Sequence, residues 1–103
     1  MGHRYNVILS QDAEIDLQEY IDYIMFDCKA PLTALKHYEN LFDTLKSLER
    51  FPESYPIQTG SSFLLFGTNV RRINYKKMAI VYTVHDDIVY IHRIIAANLI
   101  TSI

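Results

Sequence analysis

The chain has 103 residues, half of them apolar and 21% charged, a balance that builds one soluble core and excludes a disordered or fibrous protein. Cys28 is the only cysteine, which excludes an internal disulfide framework and a cysteine-based zinc site. The net charge of −2 conceals a split: residues 1–53 hold ten acidic and five basic side chains, residues 54–103 two acidic and five basic. A basic C-terminal half attracts phosphate or acidic partners. The longest apolar patch, Phe63-Leu64-Leu65-Phe66, is far too short to span a membrane, and no signal peptide is legible. A single cytoplasmic domain covering 1–103 is therefore expected.

In chain order, Arg4 to Leu9 alternates loosely and reads as a short strand. Ser10 stands where a helix N-cap belongs, with Asp12 and Glu14 in the first turn, where the helix dipole favours negative charge. Ala13, Leu17, Tyr20, Ile21, Ile24 and Cys28 then recur at steps of three and four, predicting a helix over 11–28. Lys29-Ala30-Pro31 breaks it, and Pro31 suits the first position of a second helix. The stripe of that helix is Ala34, Tyr38, Leu41, Phe42, Leu45 and Leu48, ending before Pro52. Two helices with so short a connection must run antiparallel. Gln58 to Ser62 is loop chemistry. Asn69–Tyr75, Met78–Val84 and Ile88–Ile95 are β-branched and aromatic, with Lys76-Lys77 and His85-Asp86-Asp87 as turns. The order predicts an α+β fold: an N-terminal strand, an antiparallel helical hairpin, then an antiparallel β-meander, with the helices on one face of a mainly antiparallel sheet.

Asp12, Asp16 and Glu19 share one helical face, which serves either as a solvated exterior or as a carboxylate cluster for metal or proton transfer. His3, His37, His85 and His92 lie far apart without ligand spacing, so no metal and no cofactor is expected. Arg71, Arg72, Lys76, Lys77 and Arg93 populate the meander. They act either as edge and turn charges that guard strands against aggregation or as a face that grips phosphate or acidic groups beside Tyr75, Tyr82 or Tyr90. Neighbours on a strand point to opposite faces, so Arg71 and Arg72 should separate, as should His92 and Arg93 unless a bulge intervenes. His92 is expected to share a face with Tyr90 and Ile94, and Cys28 to be a small core residue. Ile15, Tyr23, Phe26, Phe63, Leu65, Leu99 and Ile100 form an apolar surplus that is either covered by the fold or open to a partner's helix or strand.

Several segments resemble toxins of the RelE/ParE family. Tyr5-Asn6-Val7-Ile8-Leu9-Ser10 with Ala13, Asp16 and Leu17, followed by Ile21-Asp22-Tyr23-Ile24, is similar to that family's N-terminal signature. Leu48-Glu49-Arg50-Phe51-Pro52-Glu53 resembles the end of its second helix, and Arg71-Arg72-Ile73, Ile80-Val81-Tyr82 and Val89-Tyr90-Ile91-His92-Arg93-Ile94 its closing strands. The resemblance implies a small toxin of a plasmid-stabilising toxin–antitoxin module, wrapped by a cognate antitoxin in a hetero-oligomer or standing alone as a homodimer. RelE-like members cleave ribosome-bound mRNA without metal, using basic residues and often a C-terminal His or Tyr; ParE-like members act on DNA gyrase.

After Arg93-Ile94-Ile95 this chain has Ala96-Ala97-Asn98 where the ribonucleases tend to place His or Tyr, and Met78-Ala79 where some carry an Arg. Metal-free cleavage needs a proton acceptor, a proton donor and charge stabilisation together. The expectation is thus a ParE-like toxin that acts by binding, with Arg71, Arg72, Lys76, Lys77 and Arg93 toward the target and Ile15, Tyr23, Phe26, Phe63, Leu65, Leu99 and Ile100 toward the antitoxin. The enzymatic alternative is an mRNA endonuclease with Arg71, Arg93 and His92 as its catalytic candidates. A third alternative is a decayed toxin that survives as an antitoxin-binding module.

Overall fold

The computed structural model describes residues 4–102, and side chains through residue 99. Strand β1 spans Asn6–Leu9 and helix α1 Gln11–Asp22; α1 runs on into a π-helical turn, Tyr23–Asp27. Helix α2 is Pro31–Ser47, and a 3₁₀ segment, Ser61–Phe66, precedes β2 (Arg71–Tyr75), β3 (Met78–His85) and β4 (Ile88–Ala96). Ala97–Ser102 closes the chain as a second 3₁₀ segment. The sheet order is β1-β4-β3-β2, with β1 parallel to β4 and the meander antiparallel.

Local chemistry explains the boundaries. Ser10 Oγ accepts from the Ala13 N–H at 2.9 Å and caps α1, while its hydroxyl donates to the His92 carbonyl at 2.9 Å, so one side chain starts the helix and fastens it to β4. Pro31 opens α2 where its missing N–H costs nothing. The π turn widens the first helix, with Cys28 N–H donating to the Tyr23 carbonyl. That extra residue rotates Cys28 to the surface, so it is not the core residue the periodicity predicted.

Both faces of the sheet are used. Ile73, Tyr75, Ile80, Tyr82, Val89, Ile91 and Ile94 meet Ala13, Leu41, Leu45 and Leu48 of the helical layer. On the reverse face, Ala79, Val81 and Ile95 are covered by Phe63 and Val70. Phe63 is therefore a core residue, only 7% exposed; the 3₁₀ segment turns it inward, and it does not belong to a free apolar surface. The opposite correction applies to α2, where Tyr38 and Phe42, placed in the core by spacing, are 43% and 53% exposed. The loop after α2 is pinned from the sheet. Tyr82 Oη donates to the Pro52 carbonyl at 2.6 Å, and Arg71 Nη1 donates to the carbonyls of Tyr55 at 2.6 Å and Glu53 at 3.0 Å. Burial raises the Tyr82 phenol's pKa well above its ordinary range.

A β-bulge in β4 sets the face of every later residue. Val81 pairs with Arg93 but Tyr82 with Ile91, leaving His92 as the extra residue. Ile91 and Ile94, three apart, consequently both reach the helical core. His92 keeps Tyr90 as a neighbour, with ring centroids 5.0 Å apart, but the bulge moves Ile94 to the other face, contrary to simple alternation.

Among the described residues one buried side-chain atom lacks a hydrogen-bond partner, the hydroxyl of Tyr75. Its ring stands edge-on to His37 with centroids 6.0 Å apart. Removing an unpaired buried hydroxyl restores apolar packing without breaking a bond. Tyr75→Phe is expected to be at least as stable as the parent, by up to about 1 kcal/mol in urea unfolding; a loss above that size would show that the hydroxyl is bonded.

Candidate functional site

Asp16 is the structural hinge of the site. Its carboxylate, 8% exposed, accepts from Arg93 Nε at 2.7 Å, from Arg93 Nη2 at 3.0 Å and from the Ile94 N–H at 3.0 Å. β1 pairs with β4 only as far as Ile91, so the edge of β4 beyond it is left to α1 and the Ile94 N–H meets Asp16 there. Arg93's pKa is raised above the usual arginine value, chiefly by the hydrogen bond to Asp16, against a lowering from desolvation. Asp16 is thus separated from Asp12 and Glu19, which remain on the exposed side of α1. The carboxylate face of the sequence reading is not one solvated row.

The five meander cations do not share a hollow. Arg71 points to the helical face and is consumed by the loop carbonyls, with Glu53 Oε2 4.0 Å from its guanidinium. Arg93 is held by Asp16. Arg72 lies on the reverse face, its Nε donating to Asn74 Oδ1 at 2.9 Å. Lys76 and Lys77 stand exposed at the β2–β3 turn. His92 also faces the reverse side, its Nε2 2.9 Å from the Thr83 hydroxyl and its ring 5.1 Å from that of Phe66. The three catalytic candidates Arg71, Arg93 and His92 are therefore not brought together. No group of three or more His, Cys, Asp and Glu able to hold a metal occurs among the described residues; His3 lies outside them.

The apolar candidates divide between surfaces. Tyr23 and Leu99 line one groove of about 420 Å³, together with Arg93 and Met78. Ile15, Phe26 and Leu65 are exposed, Leu65 on the 3₁₀ segment away from the α1 pair. The side chain of Ile100 lies outside the described residues. A second groove, about 470 Å³, was hidden from sequence reasoning. It lies between β1, the start of α1 and the end of α2, and is lined by Val7, Leu9, Leu17, Tyr38, Phe42 and Leu45. Tyr38 and Phe42 stack at 6.4 Å along its wall. β1 is an edge strand, so the groove runs beside an open row of backbone hydrogen-bonding groups. The signal available in the sequence was excess: the α2 stripe holds two more large side chains than one helix face can bury.

Two outcomes follow from this geometry. Asp16→Ala strands the Arg93 guanidinium and the Ile94 N–H, and should cost about 2–4 kcal/mol in denaturant unfolding; a loss below 1 kcal/mol would deny the clamp its structural role. His37 and His92 are both held below the ordinary histidine pKa, first by burial and then by the neighbouring charge of Lys76 and of His85. Each stays neutral in the fold while the unfolded chain takes up a proton, so stability is complete above the ordinary pKa of about 6.5 and falls as pH drops through it toward the lower folded values. The H37Q/H92Q variant should flatten the fall in melting temperature between about pH 7.5 and 5; an unchanged slope would assign the loss to other groups.

Comparison with known proteins agrees with this architecture. Among the solved structures the chain resembles is "Chromosomal ParDE TA system from P. aeruginosa", with a TM-score of 0.71 and 18% identity, over 91% of this chain and 97% of that one. That likeness shows the fold. No curated protein matches by sequence. The family model for the ParE toxin of the type II toxin–antitoxin system, parDE, matches residues 7–98. With its strand, helical hairpin and bulged meander inside that span, the chain belongs to the ParE toxin family of type II toxin–antitoxin systems.

Proposed function

We propose that this toxin acts by binding DNA gyrase, without cutting nucleic acid, and that a cognate antitoxin neutralises it by occupying the apolar groove beside β1. The observation that carries the first half is the fate of the cations. Arg71 and Arg93 spend their guanidinium hydrogen bonds inside the fold, and His92, with its Nε2 2.9 Å from the Thr83 hydroxyl, lies on the reverse face, away from Arg71. Phosphodiester cleavage by 2′-hydroxyl attack needs charge stabilisation and proton transfer at one phosphorus centre. The outward cations, Arg72, Lys76 and Lys77, sit on the outer strand and its turn, where they meet a macromolecular surface. Cytoplasmic action accompanies that target.

The second half is supported by the edge strand and its groove. An incoming segment pairs with β1 and sets alternate apolar side chains against Leu17, Tyr38, Phe42 and Leu45. Ile15, Tyr23, Phe26, Leu65 and Leu99 extend the apolar contact as the antitoxin wraps the remainder, in a toxin–antitoxin hetero-oligomer.

Purified toxin should inhibit gyrase supercoiling and leave ribosome-bound mRNA intact. Codon-positioned mRNA cleavage would install the nuclease reading, and growth without arrest on expression would install the decayed module. Y38D/F42D, altered only at exposed positions, should keep the toxic activity and lose co-purification with the antitoxin encoded beside it. Retained co-purification would move the antitoxin elsewhere.

A further inference from the structure

At the other end of the helical hairpin, the turn between β2 and β3 approaches the link between α1 and α2. They enclose a cleft of about 410 Å³ lined by Tyr20, Tyr23, Ile24, His37, Met78 and other mainly apolar side chains, with Lys76 and Lys77 at the rim. None of the lining residues is acidic; Asp27, beside the lining residue Cys28, is exposed at the edge. Lys29 lies between Cys28 and Ala30, both in the lining, and adds a third ammonium to this end. Lys76 and His37 both belong to the lining of the cleft. Tyr20 Oη and His37 Nδ1, 2.9 Å apart, hold that wall in place.

Backbone conformation marks the same lysines. Four non-glycine residues among those described have positive φ: Lys29 at 52°, Asn69 at 55°, Lys76 at 53° and Asp86 at 53°. Asn and Asp tolerate the left-handed region, and a helix-ending position or the first residue of a two-residue hairpin turn ordinarily takes Gly or Asn. Lysine has no local interaction that offsets the strain. Lys76 lines the cleft and Lys29 lies between two lining residues, so both left-handed lysines fall at this one end of the hairpin, where stability is given up for a placed positive charge.

We infer that this cleft docks an acidic peptide segment of a protein partner, with a Leu or Phe side chain against Tyr20, Tyr23 and Met78 and flanking Asp or Glu carboxylates on Lys29, Lys76 and Lys77. An apolar floor suits a side-chain anchor, and the charge asymmetry of the rim selects anionic flanks; a nucleic-acid backbone finds nothing apolar to bury there. The inference takes from the proposed function only that Lys76 and Lys77 meet a partner, and adds Lys29, the cleft and the partner's chemistry.

The test uses the intact toxin and three fluorescein-labelled probes: a heptapeptide alternating Glu with Leu and Phe, its Lys-for-Glu counterpart, and a short single-stranded DNA. The acidic peptide should bind, more weakly as salt rises, and the other two should not. K29G/K76G should melt about 4 °C higher, because the strain is relieved, and bind the acidic peptide about fivefold more weakly, as expected for the loss of two exposed charge pairs. Tyr23→Ala, at an exposed wall position, should also weaken it. An unchanged affinity in the stabilised variant would overturn the assignment, as would tighter binding of the DNA, no peptide binding by the parent, or a lower melting temperature. Peptide binding without gyrase inhibition would sink the gyrase reading alone, and gyrase inhibition without peptide binding would sink this site alone.

Discussion

Three hydrogen bonds converge on the Asp16 carboxylate, and the seating of the helical layer on the sheet depends on them. A carboxylate this deeply buried is unfavourable unless its charge is matched and its lone pairs are filled. Arg93 supplies the charge and a two-pronged fork, and the Ile94 N–H fills a remaining site. Without Asp16, both the guanidinium and the buried N–H would be left unpaired. Ser10, six residues earlier, repeats the tie, capping α1 while bonding the His92 carbonyl. The N-cap and the second turn of α1 are thus bonded to His92, Arg93 and Ile94 in succession.

That constraint explains which parts of the molecule were legible in sequence. Element order, the N-cap at Ser10, Pro31 as the start of α2 and the meander turns follow from local chemistry, and each appears where local rules put it. The parallel pairing of β1 with β4 joins residues some eighty positions apart and leaves no local trace. Asp16 shows the same limit. It lies between Ala13 and Tyr20 along the buried stripe, and an acid there requires a cation, but nothing near it identifies Arg93. The bulge had no glycine to announce it, so alternation assigned Ile94 to the wrong face. The π turn likewise displaced Cys28 by one residue's rotation.

The charge split between the two halves overstates the outward basic surface. The C-terminal half is basic by count, yet two of its five cations neutralise or fasten parts of the N-terminal half: Arg93 on Asp16, Arg71 on the loop carbonyls after α2. The acidic and basic halves are therefore partly each other's partners. What remains outward is smaller and more local than the composition implied, concentrated at the β2–β3 turn with Arg72 on the adjacent strand. A surface of that kind steers and orients a partner better than it stabilises a transition state, because exposed ammoniums in water are screened and mobile.

Departures from local rules fall into two kinds here, and the difference separates scaffold from surface. Asp16 in a core stripe and Arg71 on the helical face break the pattern but are answered inside the chain, by Arg93 and Ile94 in one case and by the Glu53 and Tyr55 carbonyls in the other. Tyr38 and Phe42, on an exposed helix wall, stack on each other and stay open to solvent, and Lys29 and Lys76 hold left-handed turns in which lysine gains nothing locally. A sequence consistent at every level gains nothing by keeping such residues for folding alone. The unanswered departures gather at the two ends of one helical hairpin, apolar beside β1 and cationic beside the β2–β3 turn. Their chemistries are opposite enough that one acidic, weakly apolar segment would not satisfy both, so the two proposed docking surfaces are distinct, held apart by the same Asp16-anchored core.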